Sequence, residues 1–297
     1  MSFRQITVIG TGLIGASFAL AVRKHGFEGT IIGCDRPEVL AEAKSRGAID
    51  RGLGDPVAAC AGSDLILLAT PVGAILELLP KIVPHVSPHA LVTDVGSTKA
   101  EIVRRASQAW GHEAGHRFAA GHPMAGKEHS GIEQADPELF RGAVWFLTPV
   151  EGQNLESGKP ALLAALLGDL GARVSVLDPS QHDELCAWIS HLPQMISTAL
   201  AAALVDEFGE SAPLLETGGR ALREMTRIAA SPYSMWRDIA LTNQKPIADV
   251  LLKLEQELAH IRENLGTREL EAEFARAHKL RPSPPGSTVT AHEAKKK

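Results

Sequence analysis

Aromatic side chains and cysteine are scarce in this sequence. Eight Phe, four Trp and one Tyr are spread over 297 residues. Any core must therefore be mainly aliphatic, and the stacking platforms that hold single-stranded nucleic acid are missing. Three cysteines, Cys34, Cys60 and Cys186, stand far apart with no C-x-x-C pair. An odd, dispersed set closes no disulfide framework, so a reduced, cytoplasmic protein is expected. Positive charge is not in excess either: 30 Lys and Arg face 35 Asp and Glu, a formal net charge of −5. That disfavours a polyanionic partner such as nucleic acid, but not a local cationic pocket. The opening MSFRQITVIGTG has no basic segment followed by an apolar stretch, and secretion is not expected. One run, Leu185 to Val205, lacks Asp, Glu, Lys and Arg altogether. It contains Ser190, His191, Pro193, Gln194, Ser197 and Thr198, several of which would lie near the middle of a bilayer. A buried helix set against a partner subunit is expected there, not a membrane span.

What is present is the pattern of an ordinary soluble chain, 44% apolar and long enough for two domains. Residues 1–178 alternate short β-branched runs with helical segments, the mark of an α/β domain in which helices flank a parallel sheet. Strands are expected at Gln5–Gly10, Thr30–Asp35, Asp64–Thr70, Ala90–Val95, Arg117–Gly121, Ala143–Thr148 and Arg173–Leu177. Helices are expected at Leu13–His25, Pro37–Arg46, Ala74–Ile82, Lys99–Trp110 and Glu156–Leu170. From Pro179 the strand signal ends and apolar residues recur at helical spacing, so 179–281 reads as an all-helical second domain. Residues 282–297 are rich in Pro, Ser, Thr and Lys without a periodic apolar face, which predicts a disordered tail.

The first strand runs into Gly10-Thr11-Gly12-Leu13-Ile14-Gly15, which opens a helix, and the next strand ends at Asp35, 20 residues after Gly15. Strand, glycine turn, helix, strand and terminal acid in that order form a dinucleotide cradle, in which the helix N-terminus faces a pyrophosphate. The sheet is therefore expected to be a doubly wound, Rossmann-type one. Asp35 suits the ribose hydroxyls of NAD and repels a 2′-phosphate, whereas Arg36 beside it offsets that repulsion and leaves NADP open. Ligands of such sheets bind beyond the carboxyl ends of the strands. Those ends lead into Thr70-Pro71, Gly96-Ser97-Thr98-Lys99 and His122-Pro123-Met124. Ser97 and His122 are thus expected near the nicotinamide, His122 taking a hydroxyl proton as hydride leaves a carbinol and Ser97 orienting that hydroxyl or the nicotinamide.

Two tempting motifs are set aside. His112-Glu113-Ala114-Gly115-His116 matches H-E-x-x-H, but Gly111 and Gly115 argue for a surface turn and not the continuous helix a zinc site needs. Gly96-Ser97-Thr98-Lys99 has the ingredients of a phosphate loop in the wrong order. No metal is expected.

Several further segments resemble the prephenate and arogenate dehydrogenases of tyrosine biosynthesis, from about residue 5 to about 265. They are GTGLIGAS, ATPV, DVGSTK, GHPMAGKEHSGIEQADPELFRG, WFLTP, HDELCAWISHLPQ and TRIAASPYSMWRDI. The resemblance implies an NAD(P)-dependent oxidative decarboxylation, a Rossmann domain and a helical domain that forms a homodimer. It places the family's catalytic histidine on His122, the serine of its GS motif on Ser97, its substrate-binding arginine on Arg227 and the first histidine of its SHLPH motif on His191. The second histidine of that motif is Gln194 here, and Glu224 stands where Asp is usual.

Those roles make chemical sense. Prephenate carries two carboxylates, one on a non-aromatic ring and one on its oxo-acid side chain, and loss of hydride with carbon dioxide restores aromaticity. Such a substrate needs placed cations, and Arg227 offers a planar two-point clamp. A neutral Gln194 can donate to a carboxylate and accept from an ammonium, which tilts the expectation towards arogenate. A β-hydroxyacid dehydrogenase would want a lysine on the first long helix of the second domain, yet residues 179–208 contain none. A dehydrogenase of 4-amino-4-deoxyprephenate and a non-catalytic NAD sensor are the remaining alternatives. The uncharged 185–205 segment predicts the dimer contact independently.

Overall fold

A computed structural model describes residues 3–127, 131–210 and 217–280. The chain divides into two units, Met1–Ile247 and Ala248–Lys297.

The first unit is built on one eight-stranded sheet. Its opening elements are β1 (Gln5–Ile9), α1 (Leu13–Lys24), β2 (Thr30–Cys34), α2 (Pro37–Ser45), β3 (Arg51–Leu53), α3 (Pro56–Ala59), β4 (Leu65–Leu68) and α4 (Val72–Ile82). Next come β5 (Leu91–Asp94), α5 (Ala100–Trp110), α6 (Ala114–Arg117), β6 (Phe118–Pro123), β7 (Val144–Thr148), α7 (Gly158–Asp169) and β8 (Arg173–Val176). The strand order is β3-β2-β1-β4-β5-β6-β7-β8. Its first six members follow the doubly wound order, in which the chain reverses direction across the sheet between β1 and β4 and leaves a crevice at the carboxyl ends. Both faces are covered. Leu65 and Leu67 enter one apolar cluster with Phe18 and Trp145, while Ile66 and Leu68 enter another with Ile75 and Ile102. A continuous apolar run such as Leu65–Leu68 is what a strand buried on both faces requires.

Two expectations need correction. The sheet is not wholly parallel: β7 runs antiparallel to β6, pairing His122 with Phe146 and Pro123 with Trp145. The reason lies in the connection, whose described residues hold only a 3-10 turn at Ile132–Gln134 and no crossover helix. The short strand β3 was absent from the expected set, because three residues centred on Gly52 show no alternation; pairing with β2 creates it.

The remaining helices of this unit begin with α8 (Pro179–Cys186), a π-helical turn at Ala187–His191 and α9 (Leu192–Phe208). Together they make one continuous helical stretch, Pro179–Phe208, long and apolar enough to cross a membrane by length and composition. Within one chain its faces differ, as a helix set against a partner subunit requires. Leu185, Trp188, Ile189, Val205 and Phe208 are exposed, while His182, Asp183, His191, Gln194 and Ser197 are buried. After it come α10 (Gly219–Thr226), a 3-10 turn at Arg227–Ala230 and α11 (Tyr233–Thr242). Up to Ile247 these helices belong to the same unit as the sheet. Side chains account for the attachment: Asp238 accepts the Gly73 amide at 3.0 Å at the start of α4, and Asp183 accepts those of Lys99 and Ala100 at 2.7 and 2.9 Å at the start of α5.

α12 (Gln244–Glu263) runs into the second unit, whose other described helix is α13 (Glu269–His278). Arg276 binds Glu257 at 2.8 Å, and His260 lies 3.5 Å from Glu273. The tail expected at 282–297 lies outside the described residues.

Candidate active site

The glycine turn forms as its residue types require. Gly10 has φ +93°, and a Cβ there would stand 2.4 Å from the Ala69 carbonyl oxygen. At Gly15 a Cβ would stand 1.9 Å from the Gly10 carbonyl oxygen, so α1 can approach β1 only without one. Gly12 differs from both, because a Cβ there would meet no protein atom within 4 Å. That open space lies at the N-terminus of α1, which has no side-chain cap and no acidic residue in its first turn. These are the conditions an anionic phosphate needs. Asp35 accepts the Thr11 amide at 2.7 Å and that of Arg36 at 2.8 Å, which holds the carboxylate against the turn. Arg36 itself is exposed and pairs with Glu38 at 3.2 Å.

A cavity of about 440 Å³ opens beside this turn at the carboxyl edge of the sheet. Leu13, Ile14, Thr70, Pro71, Ser97, His122 and Lys127 line it, with Ser231, Pro232, Ser234 and Met235 from the helical segment. Ser97 and His122, 25 residues apart in sequence, thus reach one cavity.

A buried ion pair beneath the floor helps to place them. Asp94 ends β5, and its carboxylate accepts the amides of Gly96 at 2.8 Å and Gly121 at 3.1 Å. Lys99 pairs with the same carboxylate and donates to the Gly121 carbonyl at 2.7 Å. The residues flanking Ser97 and preceding His122 are therefore tied to one point. Burial lowers the Lys99 ammonium from its usual value, and Asp94 opposes that shift.

His122 is buried, and its Nδ1 lies 2.9 Å from Nε2 of His182. The Nδ1 of His182 lies 2.8 Å from Asp183 Oδ1. Burial, followed by the fields of His182, Lys99 and His191, holds the His122 imidazole well below the usual value, so it is neutral at physiological pH. Cys186 Sγ stands 3.4 Å from His182 Nε2, and burial pushes its thiol up to about 12. His122, His182 and Cys186 place their donor atoms within 4.8 Å of one another, a set able to hold a soft divalent ion. At 2.9 Å, however, the two ring nitrogens stand at hydrogen-bond distance.

The other expected site residues are placed less directly. His191 is buried, with Nδ1 3.1 Å from the Asn243 amide nitrogen and no partner at Nε2 among the described residues. Burial brings its imidazole down to about 4. The Gln194 amide donates to the Ile228 carbonyl at 3.0 Å and to Thr198 Oγ1 at 3.1 Å, and the residue stands outside this cavity's wall. The bond to Ile228 holds α9 against the 227–230 turn. Arg227 is exposed at the start of that turn and also stands outside the wall, whereas the turn leads on to Ser231 and Pro232, which line it. Among the described residues, the cation on the wall is Lys127, a residue without a role in the sequence motifs. His182, Asp183, Asp94 and Lys99 were likewise assigned no role, although HDELC and DVGSTK carry them.

Comparison with known proteins matches two successive parts of the chain. Residues 18–176 match the prephenate dehydrogenase nucleotide-binding domain and residues 178–279 the prephenate dehydrogenase dimerization domain. A prephenate dehydrogenase of Lactococcus lactis subsp. cremoris is 35% identical over 273 residues, covering 91% of this chain and 73% of the relative. The crystal structure of prephenate dehydrogenase from A. aeolicus, in complex with hydroxyphenyl propionate and NAD+, superposes with a TM-score of 0.82 at 32% identity, covering 94% of this chain and 96% of that one. Synechocystis arogenate dehydrogenase gives 0.72 at 32% identity, covering 93% and 95%. With both domains matched in order, the chain belongs to the prephenate dehydrogenase family of oxidoreductases.

Proposed function

We propose that this protein oxidatively decarboxylates a cyclohexadienyl substrate, prephenate or arogenate, with NAD as oxidant and His122 as the base. The observation that carries the reading is a single cavity lined by Leu13 and Ile14 of the glycine turn, by Ser97 and by the neutral imidazole of His122. The open space at Gly12 and the uncapped start of α1 suit a pyrophosphate. Asp35 is positioned for the ribose hydroxyls, and Arg36 is drawn towards Glu38, which favours NAD over NADP.

When bound, the nicotinamide supplies a hydride acceptor for the carbinol carbon. His122 takes the hydroxyl proton as hydride leaves, the electrons of the departing carboxylate restore the aromatic ring, and the proton returns to the phenolic oxygen. Ser97 orients the hydroxyl. Lys127 on the wall, and Arg227 at the turn leading into it, supply positive charge for the carboxylates. Gln194 acts on substrate choice through charge and not through contact: a neutral residue beside the neutral His191 leaves that side without a cation. This favours the ammonium of arogenate over the keto acid of prephenate.

The exposed apolar residues of the Pro179–Phe208 helix are the contact of a cytoplasmic homodimer. Turnover measured with both substrates and both cofactors tests the reading. Arogenate with NAD is expected to give the highest kcat/KM, and no reduced cofactor from either substrate would overturn the assignment. Light scattering is expected to give twice the 31.6 kDa chain mass.

A further inference from the structure

We propose that Asp183 and His182 form a fixed hydrogen-bond chain that sets the tautomer of His122, leaving its Nε2 unprotonated towards the cavity. This rests on the reading of His122 as the base and assigns two positioning residues to it.

The order of the chain follows from donor and acceptor types, beginning where there is no freedom. The backbone amides of Lys99 and Ala100 can only donate, and they donate to Oδ1 and Oδ2 of Asp183. Both carboxyl oxygens are thereby acceptors at the start of α5. Oδ1 also lies 2.8 Å from His182 Nδ1, and an ionised carboxylate cannot donate, so this nitrogen carries a proton. A neutral imidazole has only one. Nε2 of His182 is consequently an acceptor, and it faces His122 Nδ1 at 2.9 Å. The proton between the two rings then belongs to His122 Nδ1. His122, neutral in its buried setting, keeps a lone pair on Nε2, the nitrogen left for the cavity that the residue lines.

The surroundings hold this arrangement in place. The Phe146 ring meets His182 edge-on at 5.3 Å, and β7 pairs Phe146 directly with His122. Cys186 Sγ is 3.4 Å from His182 Nε2 and 4.0 Å from His122 Nδ1. Its thiol stays protonated and is a weak donor, a second and lesser partner for the same lone pair. The charged groups nearby, Lys99 and Asp94, are paired with each other, and Asn243 donates to the Asp183 carbonyl at 2.8 Å while meeting His191. An imidazole free in water carries its proton on either nitrogen. The chain removes the form in which Nε2 would already be occupied, the task a third group performs wherever a histidine base is oriented by a partner.

The test reads protons directly. Full-length protein labelled with 15N at histidine is examined by multiple-bond 1H–15N correlation near neutral pH, with His122→Asn and His182→Phe used to assign signals. The expected result is a pyridine-like Nε2 and a pyrrole-like Nδ1 for both His122 and His182. A pyrrole-like Nε2 on His122, or a His182 with two protonated nitrogens, overturns the proposal. In kinetics, His182→Phe keeps an aromatic ring against Phe146 but removes the acceptor, and kcat is expected to fall about 100-fold with KM changed less than about twofold. An unchanged kcat would overturn the proposal. If that variant does not fold, the wild-type spectrum still decides. His122→Asn separates the two readings: retained turnover defeats the assignment of His122 as base, whereas lost turnover with the opposite tautomer defeats only the chain proposed here.

Discussion

The glycine turn and the wall around His122 reach the same cavity by opposite means. The turn is six consecutive residues plus Asp35, and its geometry follows from missing side chains. The wall is assembled from the segment after β5, the end of β6 and the segment after Arg227, held by buried polar groups that meet across long stretches of sequence: Asp94 with Lys99 and Gly121, and His122 with His182 of α8. One is local, closed at Gly10 and Gly15 and open only at Gly12; the other is a network of mutually bonded buried groups. A side chain at Gly12 should weaken binding while the fold survives, whereas damage to the network should reach catalysis and stability together.

Several substitutions can break or sharpen that contrast. The largest effect is expected for His122→Asn, which removes the proposed base; kcat should fall at least about 1000-fold, and the melting temperature should fall with it because the buried His182 loses its ring partner. Lys99→Met leaves the Asp94 carboxylate buried without its cation, and chemical denaturation should report a loss of about 3–5 kcal/mol. Acid should act on the same region. The folded-state value of His191 is depressed to about 4 from an ordinary 6.5. A base buried in its neutral form contributes stability above the unfolded value, and that contribution is lost as pH falls from 6.5 towards 4. The loss should be of the order of 3 kcal/mol, and a His191→Asn protein should show a flatter stability profile in this window. Asp238→Ala uncaps α4 and is expected to cost about 1–2 kcal/mol in the same measurement. Gly12→Ala is the smallest perturbation of the fold, below about 1 kcal/mol, because the added methyl meets open space. Calorimetry should nonetheless show dinucleotide affinity falling tenfold or more. A Gly12→Ala protein that binds normally would show that the turn is not the cradle.

The same contrast explains how far the sequence could be read. β1, β2, β4 and β5 fall within the expected runs, trimmed by one or two residues where the chain bends into a turn. The glycine turn, Ser97 and His122 were legible because each lies at a strand end or in a local motif. The orientation of β7 was not, since it depends on a connection whose path no periodicity encodes. His182 and Asp183 were invisible as site residues for another reason. In HDELC they read as the polar face of an ordinary helix, and only the partners, His122 and the α5 amides, give them meaning. Gln194 shows the converse: a residue noticed because it departs from a motif is engaged by a carbonyl 34 positions away.

The two carboxylates that cap α4 and α5 bear on how such proteins can be recombined. Both helices start at the edge where the cavity opens, and both take their caps, Asp238 and Asp183, from the part of the chain beyond residue 178. A chimera that keeps this sheet but borrows helices from a distant relative would inherit strangers at those two positions. Swaps that carry both acids with the transplanted segment should yield soluble hybrids, and swaps that omit them should misfold first at the nucleotide-facing edge. Modularity in this chain is therefore limited by two side chains, despite the clean boundary that its sequence suggests.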